Sequence, residues 1–318
     1  MRSREKVLSK IAVIGAGAMG SSVGGVLAES GLDVILIDQW DELVNELNRN
    51  GLTLVEDGIE RVVKVSATKN YDLIGTADVI IVLVKSYHTE KAIKDALPII
   101  GKDTMILSLQ NGLGNEEKLK SIVGNNNILG GVTHAGSVLL DLGRVALGRK
   151  GKNTYIGELD GRMTERIQWL GSLLNSAGWS TIITDDIYSV IWNKLLVNIA
   201  VSPLSAITGL PHAGMANVSE VLACAQHAVE EAIKVAHACN IKLSTESPQE
   251  IWSIATSGLP PDHKSSMLKD IEKRSKTEIQ TINGAVVEFG KKHNVETPVN
   301  ETLFACIKGI EHQQNFKK

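Results

Sequence analysis

The stretch Ile11-Ala12-Val13-Ile14-Gly15-Ala16-Gly17-Ala18-Met19-Gly20 decides the fold. A short apolar run ends in G-x-G-x-x-G, and a helix-compatible segment from Ser21 to Ser30 follows and stops at Gly31. A second apolar run, Val34 to Ile37, then delivers Asp38. Strand, glycine turn, helix, strand and acid fall in register, which is the context a dinucleotide-binding fingerprint requires. The three glycines differ in what they permit. Gly15 allows the tight turn, Gly17 admits the pyrophosphate to the backbone, and Gly20 lets helix and strand pack closely. The helix N-terminus offers free N–H groups and a positive dipole end to the phosphates. A tight βα turn with no ligand is the bland alternative.

The composition narrows the class. The 318 residues suffice for about two domains. Hydrophobic residues at 43% and charged residues at 22% are ordinary for a globular chain, and a net charge of −3 gives no basic excess for nucleic acid. No apolar stretch reaches about 18 residues without a charge, which argues against a membrane span. Met1 to Lys10 is basic and polar and lacks the apolar core of a signal peptide. Cys224, Cys239 and Cys306 have neither metal-ligand nor C-x-x-C spacing. They read as buried, reduced cysteines of a cytoplasmic protein, and no metal site is expected.

Along the chain, Asp41 to Asn50 reads as a helix. Leu52 to Val55 and Arg61 to Val65 flank the Asp57-Gly58 turn as a hairpin. Val79 to Val84 is an unalternating apolar run, the pattern of a central buried strand, with Lys85 at its carboxyl end. A helix from Thr89 to Leu97 precedes a strand, Thr104 to Leu109, that ends at Gln110-Asn111-Gly112. Further strands are expected at Asn127 to Val132, around Val138 and Val145, and at Thr154 to Ile156. Gly15, Asp38, Lys85 and Asn111 all stand at carboxyl strand ends, where ligands of open α/β sheets bind.

From about Asp186 helix-period patterns take over: Ile187 to Ala200, Val218 to Cys239, Pro248 to Ser257, Ser265 to Arg274, Thr277 to His293 and Thr297 to His312. The expected fold is therefore α/β: a Rossmann-type doubly wound sheet domain, residues 1–185, followed by an all-helical C-terminal domain, residues 186–318. In the helical part Lys194 and Asn198 lie one turn apart on a face otherwise apolar through Ile191, Leu195 and Val197. A lysine buried there is costly unless paired. Its ammonium would protonate a carbonyl being reduced by a nicotinamide cofactor, with Asn198 holding a substrate oxygen. The alternative from spacing alone is a solvated lysine. Glu278, in Thr277-Glu278-Ile279, could pair with the lysine, although a helical Glu close to Lys276 is more often a surface charge.

The motifs together resemble the ketopantoate reductase (2-dehydropantoate 2-reductase) family over almost the whole chain. The matching segments are Gly15 to Gly20, Val84-Lys85-Ser86, Gln110-Asn111-Gly112-Leu113-Gly114, Gly131-Val132-Thr133-His134-Ala135, Trp192-Asn193-Lys194 with Asn198, Ser265-Ser266-Met267, Thr277-Glu278-Ile279 and Ile282-Asn283-Gly284. The resemblance implies hydride transfer from NAD(P)H to ketopantoate, giving pantoate for pantothenate and coenzyme A biosynthesis. By the same resemblance Lys194 is the proton donor and Glu278 supports both the catalytic network and the cofactor side. Gly15, Ala16, Gly17, Ala18, Met19, Gly20, Asp38, Lys85, Asn111 and Ala135 would contact the cofactor. Asn111, Lys194, Asn198, Ser202 and Ser266 would contact substrate. A homodimer formed through the helical domain is implied as well.

Two positions depart from the family pattern: Ser202 and His212 stand where the family commonly has substrate-facing asparagines. They motivate a different branched 2-keto acid as an alternative, and a non-catalytic NAD(H)-binding sensor is the alternative from another class. A β-hydroxyacid dehydrogenase shares the glycine turn but does not account for the Ser-Ser-Met and Thr-Glu-Ile signatures. Asp38 would accept the adenosine ribose hydroxyls and repel a 2′-phosphate, and Arg49 is the nearest basic residue in the segment that follows, so NADH is expected over NADPH. The active site is expected in a cleft between the domains.

Overall fold

The computed structural model describes residues 9–314, apart from the side chain of Asn126; most of the basic N-terminal stretch lies outside these residues. Twelve strands and twelve α-helices are described. The chain divides into two units, residues 1–110 with 115–187, and residues 111–114 with 188–318.

In the first unit the strands are β1 (Lys10–Ile14), β2 (Asp33–Ile37), β3 (Leu52–Glu56), β4 (Ile59–Val63), β5 (Ser66–Thr68), β6 (Ala77–Val82), β7 (Ile100–Ser108), β8 (Ile128–Thr133), β9 (Gly136–Asp141), β10 (Arg144–Gly148), β11 (Thr154–Glu158) and β12 (Thr181–Ile183). Eight of them form one sheet in the order β12-β11-β8-β7-β6-β1-β2-β5, parallel except where β11 runs against β8. Strand order reverses at β1, which pairs β2 on one side and β6 on the other. That reversal opens the crevice in which doubly wound sheets take ligands.

Residue alternation explains why the central strands read as unbroken apolar runs. Ile11, Val13, Val79 and Ile81 join one core cluster, whereas Ala12, Ile14, Ile80 and Val82 join another. Each strand is thus apolar on both faces because both faces are covered. Helices α1 (Ala18–Glu29), α2 (Asp41–Asn50), α3 (Thr89–Asp95), α4 (Asn115–Val123) and α5 (Glu165–Ser176) belong to this region. The expected hairpin forms as β3 and β4, but it joins β9 and β10 in a separate four-stranded sheet, β4-β3-β10-β9, that packs against α1. The short strands β5 and β12 and the helices α4 and α5 were not expected from the sequence, although α5 has a Thr164 cap and buries Ile167, Leu170, Gly171 and Leu174 at helical spacing.

The second unit is helical: α6 (Ile187–Thr208), α7 (His212–Ala216), α8 (Ser219–Ala238), α9 (Pro248–Thr256), α10 (Ser266–Glu272), α11 (Asn283–His293) and α12 (Pro298–Gln313). Three sequence expectations are corrected here. Helix α6 does not stop at Ala200 but continues through Pro203 to Thr208. Proline removes the N–H that Ile199 would accept and usually ends a helix; here Leu195, Leu196, Ile199, Ala200, Val201, Ser202 and Leu204 are all buried, and packing outweighs the lost bond. The helix expected from Thr277 begins only at Asn283, so Glu278 sits in a turn. Finally, Cys306 is exposed and Cys224 and Cys239 are half-buried; all three are free. By length and composition α6 could also cross a membrane, but 67% of its most apolar window is buried within the protein, as expected of a core helix.

Buried polar groups tie the helices together. Glu231 of α8 accepts the N–H groups of Val299 (2.8 Å) and Asn300 (2.9 Å), capping the N-terminus of α12. The Asn300 amide also donates to Glu231 and to the Ala228 carbonyl, and its oxygen accepts from Asn283 of α11 at 2.9 Å. The indole of Trp192 meets Phe289 edge-on, with centroids 6.1 Å apart, joining α6 to α11.

Candidate active site

In the first unit the glycine turn is built by sterics. Gly15 has φ +98, and its N–H donates to the Ile37 carbonyl at 2.8 Å. A Cβ on Gly15 would lie 2.8 Å from the Val84 nitrogen, and one on Gly20 would lie 1.8 Å from the Gly15 carbonyl oxygen. Neither position can take a side chain without moving backbone. A Cβ on Gly17 would meet nothing within 4 Å, so this is the open side of the turn. Gly17 is the N-cap of α1 and supplies no side-chain cap, which leaves the first-turn N–H groups of Ala18, Met19 and Gly20 directed outward. This arrangement fits a pyrophosphate at a helix N-terminus.

Asp38 follows β2 and does more than the sequence suggests. One carboxylate oxygen accepts the Ala16 N–H at 2.8 Å and the other accepts the Trp40 N–H at 3.1 Å. The acid therefore locks the glycine turn to the end of the second strand. Arg49, the base expected from the sequence, lies in the last turn of α2, eight residues and about 12 Å along the axis from Asp41. Lys69 is a second base next to this strand end: Asp38 N–H bonds the Thr68 carbonyl at 3.3 Å, and the next residue, Lys69, pairs with Asp41 at 2.6 Å. Its signal in the sequence was weak, because β5 is only three residues long.

Lys85 is half-buried three residues beyond β6, beside the glycine turn. Gln110, quoted in the motif but not assigned a role, is buried and donates to the Val84 carbonyl (2.8 Å) and to the Thr89 hydroxyl (2.7 Å), fixing the backbone that leads into Lys85. Close by, Glu116 at the start of α4 is buried; desolvation pushes its carboxyl up to about 7 against the pull of its own backbone N–H and Ser108. Ala135 is buried at the end of β8, its N–H on the Thr133 hydroxyl at 3.2 Å, and Met19 accepts a 3.7 Å contact from the Ser137 hydroxyl.

The second unit brings the remaining candidates together. Lys194, Asn198 and Ser202 are spaced four apart on α6, and the continuation of the helix through Pro203 puts Ser202 on the same stripe. Desolvation lowers the Lys194 amine to about 8, and the carboxylate of Glu278 opposes that shift. Glu278 is 6% exposed, so the surface-charge reading of it is wrong. Ser202 is buried, and its carbonyl accepts a 3.5 Å contact from Ser265, the N-cap of α10, which places the exposed Ser266 next along the chain. Asn111 belongs to this unit through its loop: Leu113 N–H donates to the Thr281 carbonyl at 2.8 Å. His212 is buried with burial pushing its imidazole down to about 4, and its ring meets His263 at 5.0 Å.

Sequence reasoning missed the supports of Glu278. Glu311 of α12 accepts the Thr277 N–H (2.9 Å), the Thr277 hydroxyl (2.7 Å) and Lys308 (2.7 Å). Burial alone would raise the Glu311 carboxyl, but these donors hold it below the usual range. Asn193 accepts from the Ser244 N–H at 2.9 Å and hydroxyl at 2.7 Å, pinning that loop beside Lys194 in sequence.

Comparison with known proteins matches both halves of the chain to one family. The family model "Ketopantoate reductase PanE/ApbA" matches residues 11–161, and its C-terminal counterpart matches residues 186–311. A 2-dehydropantoate 2-reductase of Pyrococcus horikoshii is 36% identical over 303 residues, spanning 95% of this chain and 97% of the relative. A PanE/ApbA family ketopantoate reductase from Ralstonia eutropha superposes with TM-score 0.88 at 31% identity, covering 96% of this chain and 99% of the other. D-mandelate dehydrogenase in a ternary structure with NADH and anilino(oxo)acetate gives TM-score 0.89, also at 31% identity, with the same coverage. With matches to both halves and a relative above 30% identity along nearly its full length, the chain belongs to the ketopantoate reductase family.

Proposed function

We propose that this chain reduces ketopantoate to pantoate with NAD(P)H, using Lys194 as the proton donor. The observation that carries the reading is a desolvated amine facing a buried carboxylate on a helix stripe that also holds Asn198 and Ser202. A reduced nicotinamide, when bound, supplies the hydride to the carbonyl carbon at C2. The developing oxyanion takes a proton from the Lys194 ammonium, which is left neutral and regains its proton from solvent. Glu278 keeps enough of the amine protonated near neutral pH for this to work. Asn198, Ser202 and Ser266 offer amide and hydroxyl groups for the polar ends of the keto acid, and Asn111 reaches both ring and substrate.

The turn at Gly15 to Gly20 would receive the pyrophosphate, Asp38 the adenosine ribose, and Lys85 and Ala135 the nicotinamide half. NADH is preferred in this reading, because the Asp38 carboxylate repels a 2′-phosphate and Lys69 is engaged with Asp41. A cytoplasmic homodimer completes the proposal on the strength of the family resemblance.

The test is oxidation of NADH and NADPH with ketopantoate beside a panel of branched 2-keto acids. Fast turnover of ketopantoate is expected. Faster turnover of another acid would transfer the assignment to that substrate, and no turnover of any would leave a nucleotide-binding protein. A kcat/KM favouring NADPH tenfold would overturn the cofactor preference.

A further inference from the structure

Gly112 stands between Asn111 and the turn that carries Glu278, and its environment allows no other residue. It has φ +84, and a Cβ there would fall 2.3 Å from the Thr281 carbonyl oxygen and 2.7 Å from the Thr281 carbonyl carbon. The obstruction is backbone and cannot rotate away. Beside it, Leu113 N–H donates to that same carbonyl at 2.8 Å. Leu113 and Thr281 are both buried, so the bond is shielded from water.

Thr281 is in turn wound onto Glu278. The Glu278 carbonyl accepts the N–H groups of Thr281 (3.1 Å) and Ile282 (3.2 Å) and the Thr281 hydroxyl (3.2 Å). On its other side Thr277 is held by Glu311. Thus successive backbone hydrogen bonds link the Asn111 loop through the Thr281 carbonyl to the turn that carries Glu278.

We propose that Gly112 is a positioning residue of the reaction, its missing side chain letting the Asn111 loop seat on Thr281 and so hold Asn111 in register with Glu278 and Lys194. The proposal rests on the functional reading above for the roles of Asn111 and Lys194, but the seat itself is independent of them. A neighbouring residue separates register from backbone strain. Gly114 also has positive φ, +85, yet a Cβ there meets nothing within 4 Å. Alanine at 114 incurs the left-handed penalty alone. Alanine at 112 incurs that penalty and forces loop and turn apart.

The experiment compares Gly112→Ala with Gly114→Ala at saturating NADH and ketopantoate. Gly112→Ala is expected to lower kcat at least tenfold while the NADH dissociation constant stays within threefold, because the phosphate turn is untouched. The alkaline limb of its kcat profile should move to lower pH as Glu278 loosens from Lys194. Gly114→Ala should keep kcat within threefold of the wild type. Equal losses in the two variants, or a lost kcat with an unmoved limb, would overturn the proposal.

Amide exchange on the wild type covers the case in which Gly112→Ala does not fold. A Leu113 amide protected like those of α11 supports the seat, and exchange at an open-loop rate removes it. Absence of ketopantoate turnover in the wild type would sink the functional reading while leaving this second arm to judge the seat.

Discussion

Lys194 is subject to two opposed influences: burial favours the neutral amine, and Glu278 favours the charged one. The balance near about 8 leaves an acid that is mostly protonated at neutral pH and still gives up its proton readily. The rate should therefore fall as pH rises through that region, where the ammonium is lost. Removing the carboxylate charge with Glu278→Gln should move this alkaline limb to lower pH, because the interaction that raises the amine is gone; an unmoved limb in kcat–pH profiles would separate the two residues. Asp41→Asn tests the proposed cofactor preference. Freed from its partner, Lys69 can meet a 2′-phosphate, so kcat/KM for NADPH should rise severalfold relative to NADH. An unchanged ratio in steady-state kinetics would leave Lys69 without influence on cofactor choice. Asp38 was legible because its position after the second strand has a fixed geometric meaning. Lys69 was not, because its proximity to Asp38 arises from pairing of β5 with β2, which a three-residue strand hardly announces.

At the scale of elements, helix ends were harder to read than helix faces. Pro203 carries a strong local stop signal, and burial along α6 overrides it. Thr277 to Ile282 has helix-compatible residues, yet the Glu311 carboxylate accepts the Thr277 N–H and the Leu113 N–H donates to the Thr281 carbonyl. Both outcomes depend on residues distant in sequence, so local propensity could not deliver them. The same distance gives Glu231 its importance to α12. Glu231→Ala strands the N–H groups of Val299 and Asn300 and should destabilise the fold by about 2–4 kcal/mol. Calorimetry should then show a thermal midpoint lower by about 3–6 °C; a shift under about 1 °C would deny the cap its role. Glu311 links the turn to pH. A carboxyl held below its ordinary value stabilises the native state above that ordinary value, about 4.3, and the contribution disappears as pH falls through the lower native value. Urea titrations from pH 6 to 3 should show this acid loss, and Glu311→Gln should flatten it. Glu116 has the opposite sign: its raised carboxyl makes stability fall between about 4.3 and about 7.

For the whole molecule, the division into a sheet unit and a helical unit follows from a change of apolar period that the chain displays openly. The doubly wound sheet was legible in Ile11 to Asp38 and in Val79 to Val84, whose unbroken apolar character reflects cover on both faces. The second sheet was not, because β3 pairs with β10 across some ninety residues. The substrate-side candidates named by family motif all fall within the helical unit once the Asn111 loop is counted with it. Sedimentation equilibrium should return twice the 34.2 kDa chain mass if the proposed homodimer forms, and the chain mass itself would refute it. The reaction claim is tested most directly by one variant. At saturating NADH and ketopantoate, Lys194→Ala should lower kcat by about 10²-fold or more while NADH binds within threefold of the wild type. A kcat within threefold of the wild type would contradict the account.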